Sequence, residues 1–161
     1  MRTLAIAAAL VAAGWTVVAM AGEVRVKFED LPAAVRASVQ KHYPSAQRLG
    51  FSREREHGRL MFEAELNNDG RHVDASFDSL GVLKLEETTI PWHEVPQPVR
   101  TSLAASRHAG GSVTRSERIV ELGSKLPPRY ELAIREGDLR SELEYDSSGR
   151  LVHEEKIGRE D

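Results

Sequence analysis

Three blocks of this 161-residue chain occur twice, in the same order. Leu31-Pro32-Ala33-Ala34-Val35-Arg36-Ala37-Ser38-Val39 returns 64 residues later as Val95-Pro96-Gln97-Pro98-Val99-Arg100-Thr101-Ser102-Leu103. Phe62-Glu63-Ala64-Glu65-Leu66 returns 68 residues later as Tyr130-Glu131-Leu132-Ala133-Ile134. Phe77-Asp78-Ser79-Leu80-Gly81-Val82-Leu83 returns at that same offset as Tyr145-Asp146-Ser147-Ser148-Gly149-Arg150-Leu151. A repeated unit of this size is one supersecondary element that buries its apolar face by packing beside its copy, so both halves must fold alike. The four-residue change of offset is expected in the stretch from Gly123 to Pro128, which reads as a longer hairpin loop.

Each repeat opens with a helical pattern. Leu31, Val35 and Val39 share one helix face, as do Val95, Val99 and Leu103. Asp30 is expected to cap the first helix and Pro32 to sit in its first turn, where a missing N–H costs nothing. Pro44 and the Gly110-Gly111 pair are expected to stop the two helices. The pattern then changes to alternation. Leu60, Phe62, Ala64 and Leu66 oppose Met61, Glu63, Glu65 and Asn67, and Val73, Ala75 and Phe77 oppose His72, Asp74 and Ser76. Glycine closes each intervening turn, as in Asn68-Asp69-Gly70 and Glu136-Gly137-Asp138. The predicted fold is therefore α+β: two tandem repeats, each one helix packed on a four-stranded antiparallel sheet. Repeat one is assigned to residues 22–91 and repeat two to 92–161, together one compact domain.

The start of the chain predicts export. Met1-Arg2-Thr3 precedes an apolar run from Leu4 to Ala13, and Ala19-Met20-Ala21 places small residues where a signal peptidase reads them. Residues 1–21 are read as a signal peptide cleaved after Ala21, giving a periplasmic or secreted protein with no membrane contact afterwards. A net charge of −3 leaves no excess positive field to attract nucleic acid. With no cysteine in the chain, burial alone must hold the exported fold.

Leu-Pro-x-x-Val opening a helix (Leu31, Pro32, Val35), an aromatic-Glu strand (Phe62-Glu63) and aromatic-Asp-x-x-Gly-x-Leu (Phe77 to Leu83) all occur in duplicate. In these residues the chain resembles the PepSY-like family, whose fold is similar to that of the β-lactamase inhibitory proteins. The resemblance covers Phe28 to Glu155. It implies an exported bacterial protein of tandem helix-plus-sheet units that binds or inhibits another envelope or secreted protein. The inhibitors present an aromatic-rich concave sheet face, whereas the outward positions here are mostly charged, so no inhibitory residue carries over.

Catalytic chemistry finds no foothold in the residues. There is no cysteine and no Gly-x-Ser-x-Gly elbow, and the chain is read as a non-enzyme without cofactor. His42, His57, His72, His93, His108 and His153 fall in six separate elements or turns and are expected to be solvated. Glu65-Leu66-Asn67-Asn68-Asp69-Gly70 imitates a calcium loop, but Ser76 stands where its bidentate glutamate belongs, so a plain hairpin and no metal are expected. The informative surface is the outward sheet face. Glu63, Glu65 and Asp74 in repeat one and Glu131, Glu142 and Glu144 in repeat two are expected to form two acidic patches there, interrupted by Met61, itself a candidate contact residue. Arg71, Lys84, Arg135 and Arg140 would interrupt them. Trp92, between the repeats beside Pro91, is the candidate exposed anchor or a plug at the hinge. Such patches suit a basic protein segment or, in an alternative reading, a sensor for a small cation or metal. A half-covered antiparallel sheet must also show water a polar face, which accounts for charge without any ligand.

Overall fold

A computed structural model describes residues 23–56 and 58–159. The expected signal peptide lies outside the described residues. The strands are β1 (Val24–Arg25), β2 (Gln47–Glu56), β3 (Arg59–Asn68), β4 (Arg71–Asp78), β5 (Leu83–Thr89), β6 (Ser112–Glu121), β7 (Arg129–Glu136), β8 (Leu139–Asp146) and β9 (Leu151–Arg159). The helices are α1 (Ala33–His42) and α2 (Gln97–Ala104), each preceded by a 3-10 turn, Phe28–Asp30 or Trp92–Glu94. All nine strands form one sheet in chain order, every neighbouring pair antiparallel. The repeats are joined through β5 and β6, from Leu85 opposite Glu121 to Thr89 opposite Glu117.

Helices of ten and eight residues are too short to persist alone in water, so their packing must hold them. Val35 and Val39 of α1 are buried against Phe62, Ala64, Leu66, Val73, Ala75 and Phe77. Val99 and Leu103 of α2 are buried against Leu132, Ile134, Leu143 and Tyr145. Each large apolar side chain so placed contributes about 1.5–3 kcal/mol. Both cores lie on the same side of the sheet, because the strand residues in them share one alternation parity across the pairing register.

The local signals at the helix ends were read differently from what is found. Asp30 lies inside the 3-10 turn and caps nothing; Pro32 occupies the cap position of α1 without a side-chain bond. An arginine ties each helix to the preceding turn instead. Arg36 donates to the carbonyls of Leu31 (2.5 Å) and Glu29 (3.0 Å), and Arg100 donates to that of His93 (3.3 Å). α2 ends at Ala104, well before Gly110-Gly111. There the Ser106 hydroxyl donates to the Leu103 carbonyl and accepts from the His108 N–H, a local turn that competes with helix continuation. The change of offset is also divided. Arg53 pairs with Phe62 and Arg118 with Tyr130, so β2 and β6 are 65 apart and β3 and β7 are 68 apart. One extra residue therefore lies between α2 and β6, and three lie in the loop before β7.

The turns after β4 and β8 are built identically. Asp78 accepts from the N–H groups of Leu80 and Val82, and Asp146 from those of Ser148 and Arg150. Gly81 (φ +78°) and Gly149 (φ +87°) follow, and a Cβ at either would come within 2.5 Å of a helix carbonyl, that of Ala34 or Pro98. Only glycine lets this turn pass under the helix start.

Candidate functional site

Alternation places half of each strand's side chains on the face that the helices leave uncovered. The register then aligns them across strands: Glu65 opposite Asp74, Asp74 opposite Glu87, Glu117 opposite Glu131, Glu131 opposite Glu144. These are four directly opposed like-charge pairs, each unfavourable in a sheet. Because β5 pairs with β6, the two expected acidic patches are a single row running through both repeats. Glu63, Glu65, Asp74, Glu131, Glu142 and Glu144 all belong to it. Arg71 does not interrupt it, being bound through two guanidinium nitrogens to Glu94 (2.7 and 2.8 Å) on the helix side.

The face is recessed. Ser52, Met61, Leu85, Glu117, Ile119 and Glu144 are buried there although the helices lie on the other side. Met61, expected among the outward contact residues, is only 3% exposed and so offers a partner almost no surface. Trp92 stands apart from the row, 42% exposed at the start of the second 3-10 turn on the helix side.

Counter-charge is unevenly distributed. In repeat two, Arg115 lies 3.2 Å from Glu117, 3.4 Å from Glu131 and 3.1 Å from Glu142, while Arg129 lies 2.6 Å from both Glu121 and Glu144. In repeat one, Arg25 pairs with Glu65 and His72 lies 3.1 Å from Asp74. The charged neighbours that act most on Glu63 and Glu87 are all carboxylates. Burial, reinforced by those neighbours, pushes the Glu63 and Glu87 carboxyls up to about 8. Burial pushes Glu131 up to about 7, with Arg115 opposing it. Burial also raises Asp74, Glu142 and Glu144.

Sequence reasoning missed Glu87 and Glu117, the two carboxylates that bridge the repeats. Irregular pairing in β5 and β6 hides them: the register slips between Ser76 and Phe77 and again between Val113 and Arg115, which blurs the alternation. Among the described residues, Glu23, Glu63 and Glu65 bring carboxylate oxygens within 4.8 Å of one another. His108, expected in solvent, is buried between Glu136 (2.8 Å) and Glu154 (3.3 Å).

A duplicated helix-and-strand unit, merged into one antiparallel sheet with both helices on one face, defines a two-layer α+β protein. The family model described as "Putative beta-lactamase-inhibitor-like, PepSY-like" matches residues 12–84 and 61–153, and the chain belongs to that family. Solved structures of similar fold include a "putative periplasmic" protein of Bacteroides eggerthii (TM-score 0.68, 18% identity, 79% of this chain and 89% of that one). A DUF2874 family protein of Bacteroides uniformis gives a TM-score of 0.66 at 20% identity, covering 78% and 89%. A BLIP-like protein of Bacteroides fragilis gives 0.62 at 20% identity, covering 81% and 89%. Among curated proteins none matches the chain.

Proposed function

We propose that the protein is an exported, non-catalytic binding module whose uncovered sheet face takes a basic segment of another envelope protein, as an inhibitor or regulator. Residues 22–91 and 92–161 are its two repeats, each a helix on four long strands, with the two-residue β1 added at the outer edge of the first beyond the four strands expected. The observation that carries the reading is the row of opposed carboxylates from Glu63 to Glu144, which spends stability on like charge that a cationic partner would neutralise. Export rests on the leader pattern of residues 1–21 and agrees with the name of the B. eggerthii protein.

Calorimetric titration with an arginine-rich peptide at low and high salt tests it. We expect exothermic, salt-sensitive binding to the wild type and at least tenfold weaker binding to Glu63→Lys/Glu131→Lys. Equal binding by both overturns it. The clustered oxygens of Glu23, Glu63 and Glu65 favour a second reading, a sensor for a small cation. A rise in melting temperature with calcium alone, lost in Glu63→Gln, would select that reading.

A further inference from the structure

A cavity of about 660 Å³ opens beside α2, between that helix and the ends of strands β5 and β6. It is lined by Ile90, Trp92, Leu103, Val113 and Ser116, among others. The first repeat shows what is missing. Ile90, Trp92 and Leu103 correspond to Val26, Phe28 and Val39 at the 64-residue offset, and all three of those belong to or pack against the core cluster that holds the buried ring of Phe51. Phe51 pairs with Ala64, and Ser116 pairs with Leu132, the equivalent of Ala64. Serine therefore stands where repeat one has phenylalanine.

The consequences are visible on both sides. In repeat one, Phe28 and Phe51 meet with ring centroids 5.3 Å apart and planes tilted by 46°, and Arg48 covers Phe28 at 3.8 Å. In repeat two the Ser116 hydroxyl turns away to donate to the Ile90 carbonyl (2.8 Å). Arg48 is replaced there by apolar Val113, and Trp92 is left 42% exposed on the rim. The volume falls within the usual range for a ligand site, and more of the lining is apolar than polar, with Arg100 and Arg115 as its charged members.

We propose that this cavity is a receptor for one aromatic ring, which stacks on Trp92 and occupies the place that Phe51 fills in the first repeat. The ring is supplied either as a free aromatic molecule or as an aromatic side chain of a bound polypeptide.

The test uses the full chain, isotopically labelled, with amide shifts followed by NMR. The two probes are indole and a blocked glycyl-phenylalanyl-glycine peptide. Saturable shifts at Ile90, Leu103 and Ser116 are expected at roughly millimolar probe, the affinity that one small ring supplies. Indole binding without the peptide assigns the site to free aromatics; binding of the peptide assigns it to side chains. Ser116→Phe, which supplies the ring internally, should abolish binding of both. Trp92→Ala should weaken it about three- to tenfold by removing the stacking partner. Shifts at those residues that persist unchanged in both variants, or no shift from either probe, overturn the proposal.

Discussion

The two repeats keep most of the same core and differ at the seam where the helix and its 3-10 turn meet the first and last long strands of the unit. In repeat one, Tyr43 follows α1 and its hydroxyl donates to Glu86 at 2.5 Å. Glu154 is the equivalent of Glu86, 68 residues on, and it meets His108 and Arg107 in place of a tyrosine. The aromatic pair Phe28 and Phe51 has as its counterpart Trp92 and Ser116. By contrast Val35 and Val99, or Phe77 and Tyr145, are buried in the same way in both copies. Core positions decide whether the unit folds, so little change survives there. The seam tolerates divergence, and it is where repeat two acquired a cavity and a buried histidine.

The largest expected effect tests how far the halves are independent. Phe77→Ala and Tyr145→Ala each remove a ring that is at most 2% exposed, and each should cost about 3–5 kcal/mol. Because β5 and β6 pair along five residues, either variant should unfold in one transition that moves the whole molecule. Urea denaturation followed at probes in both repeats checks this. Two separated transitions in either variant would show that the shared sheet does not couple the halves.

A second effect comes from the carboxylate row, and its sign is opposite to that of an ordinary acidic surface. Glu63 and Glu87 sit at about 8 and Glu131 at about 7 in the fold, raised by burial, against an ordinary value near 4.5. Between those values the folded chain holds protons that the unfolded chain has released, so stability falls as pH rises. The contribution is complete below about pH 4.5 and is lost on passing through pH 7 to 8. The melting temperature should therefore rise by about 5 °C on going from pH 8.5 to pH 5.5, for a change on the order of 2–3 kcal/mol. Glu87→Gln should flatten the profile and be the more stable protein at pH 8.5. A melting temperature that climbs with pH over this window would contradict the burial of these groups. The same linkage means that a cationic partner must displace protons, so its affinity should grow from pH 5.5 to 8.5.

The duplication was legible because the core residues that carry it are large, apolar and regularly spaced: Leu31, Val35 and Val39 reappear as Val95, Val99 and Leu103. The acidic face was legible on the strands with clean alternation, β3 and β4, where Glu63, Glu65 and Asp74 stand out. It was not legible on β5 and β6. Bulges there shift the parity, and whether Glu87 meets Ile119 depends on a pairing between repeats that local periodicity does not encode. The cavity was invisible for another reason. Ser116 reads as an ordinary polar strand residue until the register sets it against Phe51.

The smallest effect probes the seam itself. Tyr43 is 8% exposed, and its phenol, raised by burial and by the bond to Glu86, stays protonated throughout the working range. Tyr43→Phe keeps the ring and its packing but removes the donor, leaving the half-buried Glu86 carboxylate without that hydrogen bond. A bond to a charged acceptor is worth about 1.5–3 kcal/mol, and water reaching Glu86 should recover part of it, so a loss of about 1 kcal/mol is expected. That loss should be constant from pH 5.5 to 8.5, since the phenol does not titrate there. The equivalent contact in repeat two is made by an imidazole held between Glu136 (2.8 Å) and Glu154 (3.3 Å), so His108→Phe removes two side-chain contacts where Tyr43→Phe removes one, and it should cost more. Parallel urea titrations of the two variants at several pH values measure the difference. Equal losses in both would mean that the tyrosine and the histidine do the same structural work, and that divergence at this seam carries no energetic consequence.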